Sequence, residues 1–215
     1  METDLLQKLG SKELTKNQLF EKFEADLSLV PQLLVGTVSP KATIRYGSAS
    51  VLVDLTEKHP DKLYQYMNNF VGLLDSKHRI LTWNALAAIA NLTAVDTDCK
   101  FDTIFDKYYS FLGNKYMVAV ANVVANSAII VSNKPYLADR ITSELLKVQD
   151  LKITLHLTDE CKLVIAEHTI RTFNTLIRYT QNKASLIVFV EKHQNSKRVS
   201  LKKEAQNFLK KWQKA

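Results

Sequence analysis

Four polar residues interrupt otherwise apolar stretches of the chain: Asp54 in "YGSASVLVDL" (46–55), Asn91 in "TWNALAAIANLTAV" (82–95), Asn126 in "AVANVVANSAIIV" (119–131) and Asn174 in "HTIRTFNTLIRY" (168–179). A side-chain amide carries two N–H donors and one carbonyl acceptor, so a row of amides can hold the backbone of an extended peptide without reading its side chains. Asn122 stands one helical turn before Asn126. Two amides a turn apart on an apolar helix are costly to bury, which points Asn126 toward a partner. The competing role is internal, because a recurring buried Asn or Asp can bond the backbone of a neighbouring helix and satisfy groups that would otherwise be orphaned. The residues alone leave both roles open.

Catalytic chemistry has no footing. The chain lacks a glycine-rich phosphate loop, a G-x-S-x-G elbow and an H-E-x-x-H pair. Cys161 and His168 share a helix face but stand about 10 Å apart along the axis, too far for a thiolate–imidazolium pair. Core packing is the simpler reading of both. Asp96, Asp98 and Asp102 could bind a hard cation, but helix N-terminal capping explains them more cheaply. Cys99 and Cys161 lie far apart, which argues against a disulfide framework or a zinc knuckle and reads as two reduced core residues. A non-catalytic chain with no cofactor and no metal is expected.

Charge is concentrated at one end. The net charge is +7, and residues 191–215 hold eight Lys or Arg against Glu191 and Glu204, which leaves the rest nearly neutral. Lys197, Arg198, Lys202, Lys203, Lys210 and Lys211 either solvate a terminal helix or form a patch for nucleic acid or an acidic partner. Phe208 and Trp212, four residues apart, read as a core-facing stripe.

With 215 residues, 46% hydrophobic and 24% charged, the chain can bury a large core as one domain or one continuous array. The N-terminus "METDLLQKLGSKELTKN" does not read as a secretory signal. The longest apolar run, Met117 to Val131, is interrupted by Asn122, Asn126 and Ser127 and is too short to cross a bilayer. A soluble cytoplasmic protein is expected. Five glycines and four prolines fall largely where helices should start or stop. Ser39 before Pro40 predicts a helix to His59 that ends at Pro60. Ser76, Asn114 and Thr158 are predicted to cap helices that run to about Ala94, Ser132 and Gln181, and "TKNQ" (15–18) has the capping-box pattern. Shorter amphipathic helices are predicted between them, at Leu27–Val35, Lys62–Leu74, Asp102–Leu112, Tyr136–Val148 and Ala184–Lys192.

The alternation of short and long helices is a repeat. "YGSASVLVDL" aligns with "WNALAAIANL" at a step of about 37 residues, Asn91 with Asn126 at about 35, and Asn126 with Asn174 at about 48. The long step leaves roughly a dozen extra residues, placed in "DLKITLHLTD" (150–159), whose alternating pattern predicts an extended connection on the edge of the array. "SLKKEAQNFLKKW" (200–212) fits a terminal repeat with a polar outer face. The expected architecture is all-α: a right-handed α-α superhelix, or solenoid, of about five helix pairs in a single domain spanning 1–215. Residues 1–26 would form N-terminal helices, 27–193 the repeats and 194–215 a basic C-terminal helix.

These features resemble the HEAT and armadillo repeat families. The resemblance rests on the second helix of each unit, with Ala49, Leu52 and Leu55, then Leu86, Ile89 and Leu92, preceded in one unit by Arg45, and it covers about 27–212. Each unit looks like a HEAT helix pair, while "LAAIANLTA" resembles the armadillo inner helix with its asparagine placed as Asn91 is. In armadillo proteins such asparagines hold an extended peptide on the concave face, beside a tryptophan one turn earlier; the residues at that place here are Ser50, Ala87, Asn122 and Ile170. The resemblance implies a non-catalytic scaffold for a protein or peptide partner, with no membrane and no small-molecule ligand. A second resemblance, to the HEAT-like alkylpurine DNA glycosylases, implies nucleic-acid binding through the basic end. Trp83 and Trp212 lack the tryptophan–aspartate neighbourhood by which those enzymes resemble one another.

Overall fold

The computed structural model describes residues 3–213, which form α-helices joined by short turns in two compact units with the boundary after Phe101. The first unit holds α1 (Asp4–Gly10), α2 (Lys16–Ala25), α3 (Val30–Gly36), α4 (Ala42–Lys58), α5 (Pro60–Leu63), α6 (Met67–Leu73) and α7 (Arg79–Leu92). α8 (Lys100–Tyr109) begins two residues before the boundary. The second unit continues with α9 (Met117–Asn133), α10 (Ala138–Leu146), α11 (Asp159–Leu176), α12 (Lys183–Glu191) and α13 (Val199–Trp212). In the first unit α4 packs on α3 and α7; in the second α11 packs between α9 and α13. Gly36 lets α3 lie directly on α4, since a Cβ there would stand 2.2 Å from Ser48 Oγ.

Helix starts follow local hydrogen bonding. Thr15 and Gln18 form the reciprocal capping box that "TKNQ" announces, and Thr158 caps α11 by accepting the Cys161 amide at 3.3 Å. Ser39, Ser76 and Asn114 do something else. Each accepts the amide two residues ahead (3.1, 3.1 and 2.9 Å), and Ser196 repeats the device at 3.2 Å. These are side-chain turns that fold the chain before the helix. The helix starts three residues later than the turn residue, and the N-cap positions Lys41, His78, Tyr116 and Arg198 make no side-chain cap bond.

Burial fixes the repeat register. Ile44, Arg45, Ser48, Ala49 and Leu52 of α4 recur 37 residues on as Leu81, Thr82, Ala85, Leu86 and Ile89 of α7. A step of 38 gives Ala119, Val120, Val123, Val124 and Ser127 of α9, and 46 gives Ile165, Ala166, Thr169, Ile170 and Phe173 of α11. A step of 36 then reaches Leu201, Ala205 and Leu209 of α13. The alignment on asparagines is corrected from 35 to 38 and from 48 to 46. The large step therefore carries eight residues beyond the step of 38 before it. Four of them extend α11 by a turn at its start. The others enlarge the segment 151–157, which is non-helical but, instead of running extended, reverses through a tight turn at Leu155–His156 closed by the isolated bridge Thr154 to Leu157. Leu157 anchors it in the core, Thr154 Oγ1 donates to the Lys115 carbonyl, and His156 stacks on Tyr116 at 4.7 Å.

The same register contains a clasp that no single motif announces. The residues just past α4, α7 and α9 and near the end of the α11 repeat, His59, Asp96, Lys134 and Thr180, recur at steps of 37, 38 and 46. Each reaches back to the preceding short helices. His59 meets Glu24 at 2.9 Å, Asp96 accepts from Tyr64 at 2.5 Å, Lys134 pairs with Asp102 at 3.3 Å and Thr180 donates to Asp139 at 2.5 Å.

Candidate functional site

α9 contains no ionisable residue over its 17 positions. Its inner side is core, but Val118, Asn122, Ala125 and Ile129 share an outward stripe, with Val118 and Ile129 each 40% exposed. The equivalent positions of α11 are Val164, His168, Arg171 and Thr175, and those of α13 are Ser200, Glu204, Asn207 and Lys211. Outward chemistry in the second unit thus passes from apolar on α9 to charged on α13. In the first unit the same positions of α7 carry Ile80, Asn84, Ala87 and Asn91, with Trp83 half-buried beside them, and those of α4 carry Thr43, Gly47, Ser50 and Asp54.

The amides divide by what they bond. Asn91 Nδ2 donates to the Val53 carbonyl (3.4 Å) and Thr56 Oγ1 (3.1 Å) of α4, joining two repeats. Asn174 accepts Trp212 Nε1 at 3.0 Å and so ties α11 to α13. Asp54 pairs with Lys16 at 2.7 Å. Asn126 falls in register with the buried Ala88 and Thr172 rather than with Asn91. Its amide interacts with the fully buried Tyr108 hydroxyl, and among the described residues its Nδ2 makes no hydrogen bond of normal geometry. Burial raises the Tyr108 pKa well above its usual value, so the phenol stays neutral. Asn122 alone faces outward with nothing but a bond to its own helix, Nδ2 to the Val118 carbonyl at 2.8 Å. Asn84, its counterpart on α7, repeats that bond to Ile80 at 2.7 Å. A step of 38 instead of 35 would have brought Asn84 and Asn122 together in the sequence.

The basic end is partly neutralised. Arg198 Nε donates to Glu167 at 3.0 Å and its Nη1 to Glu160. Glu167 is 6% exposed and also accepts from Arg171 (2.5 Å) and Ser200 (2.6 Å). Burial opposes its charge, yet the bonds from Ser200 and Arg198 outweigh burial and hold its pKa below the usual value. Lys197, Lys202, Lys203, Lys210 and Lys211 are exposed, and Lys214 lies outside the described residues. Phe208 is core, whereas Trp212 is half-buried, with Lys211 over its ring.

Three further expectations meet the structure. Cys99 is exposed and Cys161 intermediate, so neither is a core residue; Cys99 sits in a turn and Cys161 in the first turn of α11. His168 lies on the outward stripe of α11 rather than in the core. Asp96 caps α8 by accepting the Lys100 and Phe101 amides at 2.9 Å each, as the capping reading requires. Among the described residues no group of three or more His, Cys, Asp or Glu converges as a metal site, and no helix is long and apolar enough to cross a membrane.

No protein-family model matches the sequence, and no curated protein matches it. The fold is similar to that of a solved structure, the designed armadillo repeat protein YIII(Dq)4CqI. The TM-score is 0.61 at 20% identity, over 95% of this chain and 90% of that one. With its helical repeat register, this likeness gives the chain the armadillo/HEAT-type repeat fold.

Proposed function

We propose that the chain is a non-catalytic scaffold that docks a protein or peptide on the outward face of α9. The observation that carries this reading is the uncharged stripe Val118–Asn122–Ala125–Ile129, in a protein of which 24% is charged. Contact surfaces are depleted of charge at their centre and enriched in apolar groups that complementary packing can bury. Asn122 supplies an amide for a partner's backbone. Asp54, Asn91 and Asn174 are already bonded or paired within the fold, and Asn126 is turned toward Tyr108, so none of the four is assigned to the partner. The armadillo-type fold supports a binding role.

Full-length protein panned against a displayed library of random peptides tests the proposal. Selected ligands are expected to lose affinity for Val118→Glu/Ile129→Glu, while the Tm of that variant stays close to the parent's, because both side chains are already partly in water. Raising salt should change the affinity little. Ligands indifferent to the double substitution would refute the α9 surface. Tight oligonucleotide binding that weakens steeply with salt, with no peptide selected, would favour a nucleic-acid role for the basic end instead.

A further inference from the structure

Between the end of α10, the first two turns of α11 and the end of α12, the second unit holds a cleft of about 500 Å³ that shares no residue with the α9 stripe. Its floor is apolar, made by Val148, Leu163, Ala166 and Phe189. Lys162, Lys192 and Lys197 stand around it. Lys192 Nζ donates to Gln149 Oε1 at 2.9 Å, whereas Lys162 and Lys197 have no side-chain hydrogen bond or ion pair among the described residues. His193 packs on Phe189 with ring centroids 5.1 Å apart; burial and then Lys192 lower its pKa, so it is neutral at pH 7.

Two carboxylates share the rim. Asp159 lies in the first turn of α11, where the helix N-terminus balances its charge. Asp150 also borders a neighbouring cleft lined by Lys152 and by Lys147, which pairs with Glu144 at 2.7 Å. Three lysines against the two rim carboxylates leave the lining net positive above an apolar floor, a combination that matches an apolar side chain flanked by carboxylates. It matches a nucleic acid poorly, since the one aromatic ring in the floor, Phe189, is 2% exposed and offers no plane on which a base could stack.

We propose that this cleft docks a short acidic segment of another protein, seating one bulky apolar side chain against Leu163 and Phe189 and setting flanking carboxylates against Lys162 and Lys197. This second site stands independently of the α9 surface.

The test uses the full chain and the same random-peptide library, panned a second time on Val118→Glu/Ile129→Glu so that the α9 surface is disabled. The enriched peptides should carry Asp or Glu on both sides of a Leu, Ile, Phe or Trp. A labelled synthetic copy should bind the parent and the α9 variant equally in fluorescence anisotropy. Lys162→Glu/Lys197→Glu should weaken it at least about tenfold, since like charges brought together are costly. Leu163→Asp should do the same, with circular dichroism showing each variant folded. Enrichment of neutral or basic peptides, affinity unmoved by the lysine reversals, or displacement of the peptide by a mixed-sequence oligonucleotide at lower concentration would each overturn the assignment.

Discussion

At the scale of single residues, what each amide bonds decides what it is for. Replacing Asn126 by Ala removes the amide that interacts with the fully buried Tyr108 hydroxyl, and losing a buried polar interaction costs about 0.5–1.5 kcal/mol. Asn122→Ala removes only a bond to its own helix and should shift stability by no more than about 0.5 kcal/mol. Urea melts of the two variants check this contrast. Glu167 offers a second measurement. Its folded-state pKa is depressed, so the stability that it supplies is full above the ordinary glutamate value of 4.5 and is lost as pH falls through the lower folded value. The Tm gap between the parent and Glu167→Gln should accordingly be widest near neutrality and close as the solution is taken well below pH 4.5. The sequence showed that amides recur but not which were internal. Asn91 looks like Asn126 in a string of letters, and only the step of 38, set by buried side chains, separates them. Nothing local could have announced that Tyr108 lies beneath Asn126.

Among the elements, the steps of 38 and 46 emerged only from the buried register, whereas the helices and the first step of 37 were legible because apolar spacing and turn residues punctuate them. Helix starts were less so. Ser39, Ser76 and Asn114 read as N-caps, but whether such a side chain bonds two or three residues ahead depends on backbone angles that the residue type does not dictate. The clasps were invisible, since His59, Asp96, Lys134 and Thr180 are four different residue types, although three of them meet a carboxylate. They nevertheless hold the connections down. Asp139→Ala removes the acceptor of both Thr180 Oγ1 and the Gln181 amide (2.8 Å). The expected loss is about 1–2 kcal/mol, with faster hydrogen exchange at the Gln181 amide.

For the whole molecule, stacked repeats make stability a matter of neighbours. α13 packs on α11 and α12, so damage to it should stay at that end. Phe208→Ala, which empties a fully buried site, costs about 3–5 kcal/mol if the end cannot collapse. Hydrogen exchange should show α13 amides losing protection while those of α9 keep theirs. Simultaneous loss in both helices would mean that the second unit opens as one cooperative block.

The unlike clasps bear on folding errors. A chain of similar modules can dock one module out of step, because the apolar surfaces of neighbours are nearly interchangeable. Asp96 belongs with the phenol of Tyr64; displaced by one module it would confront Glu24 or Asp102, and two carboxylates would be forced together. The Asp96 connection thus carries its own key, and docking that module out of step is penalised.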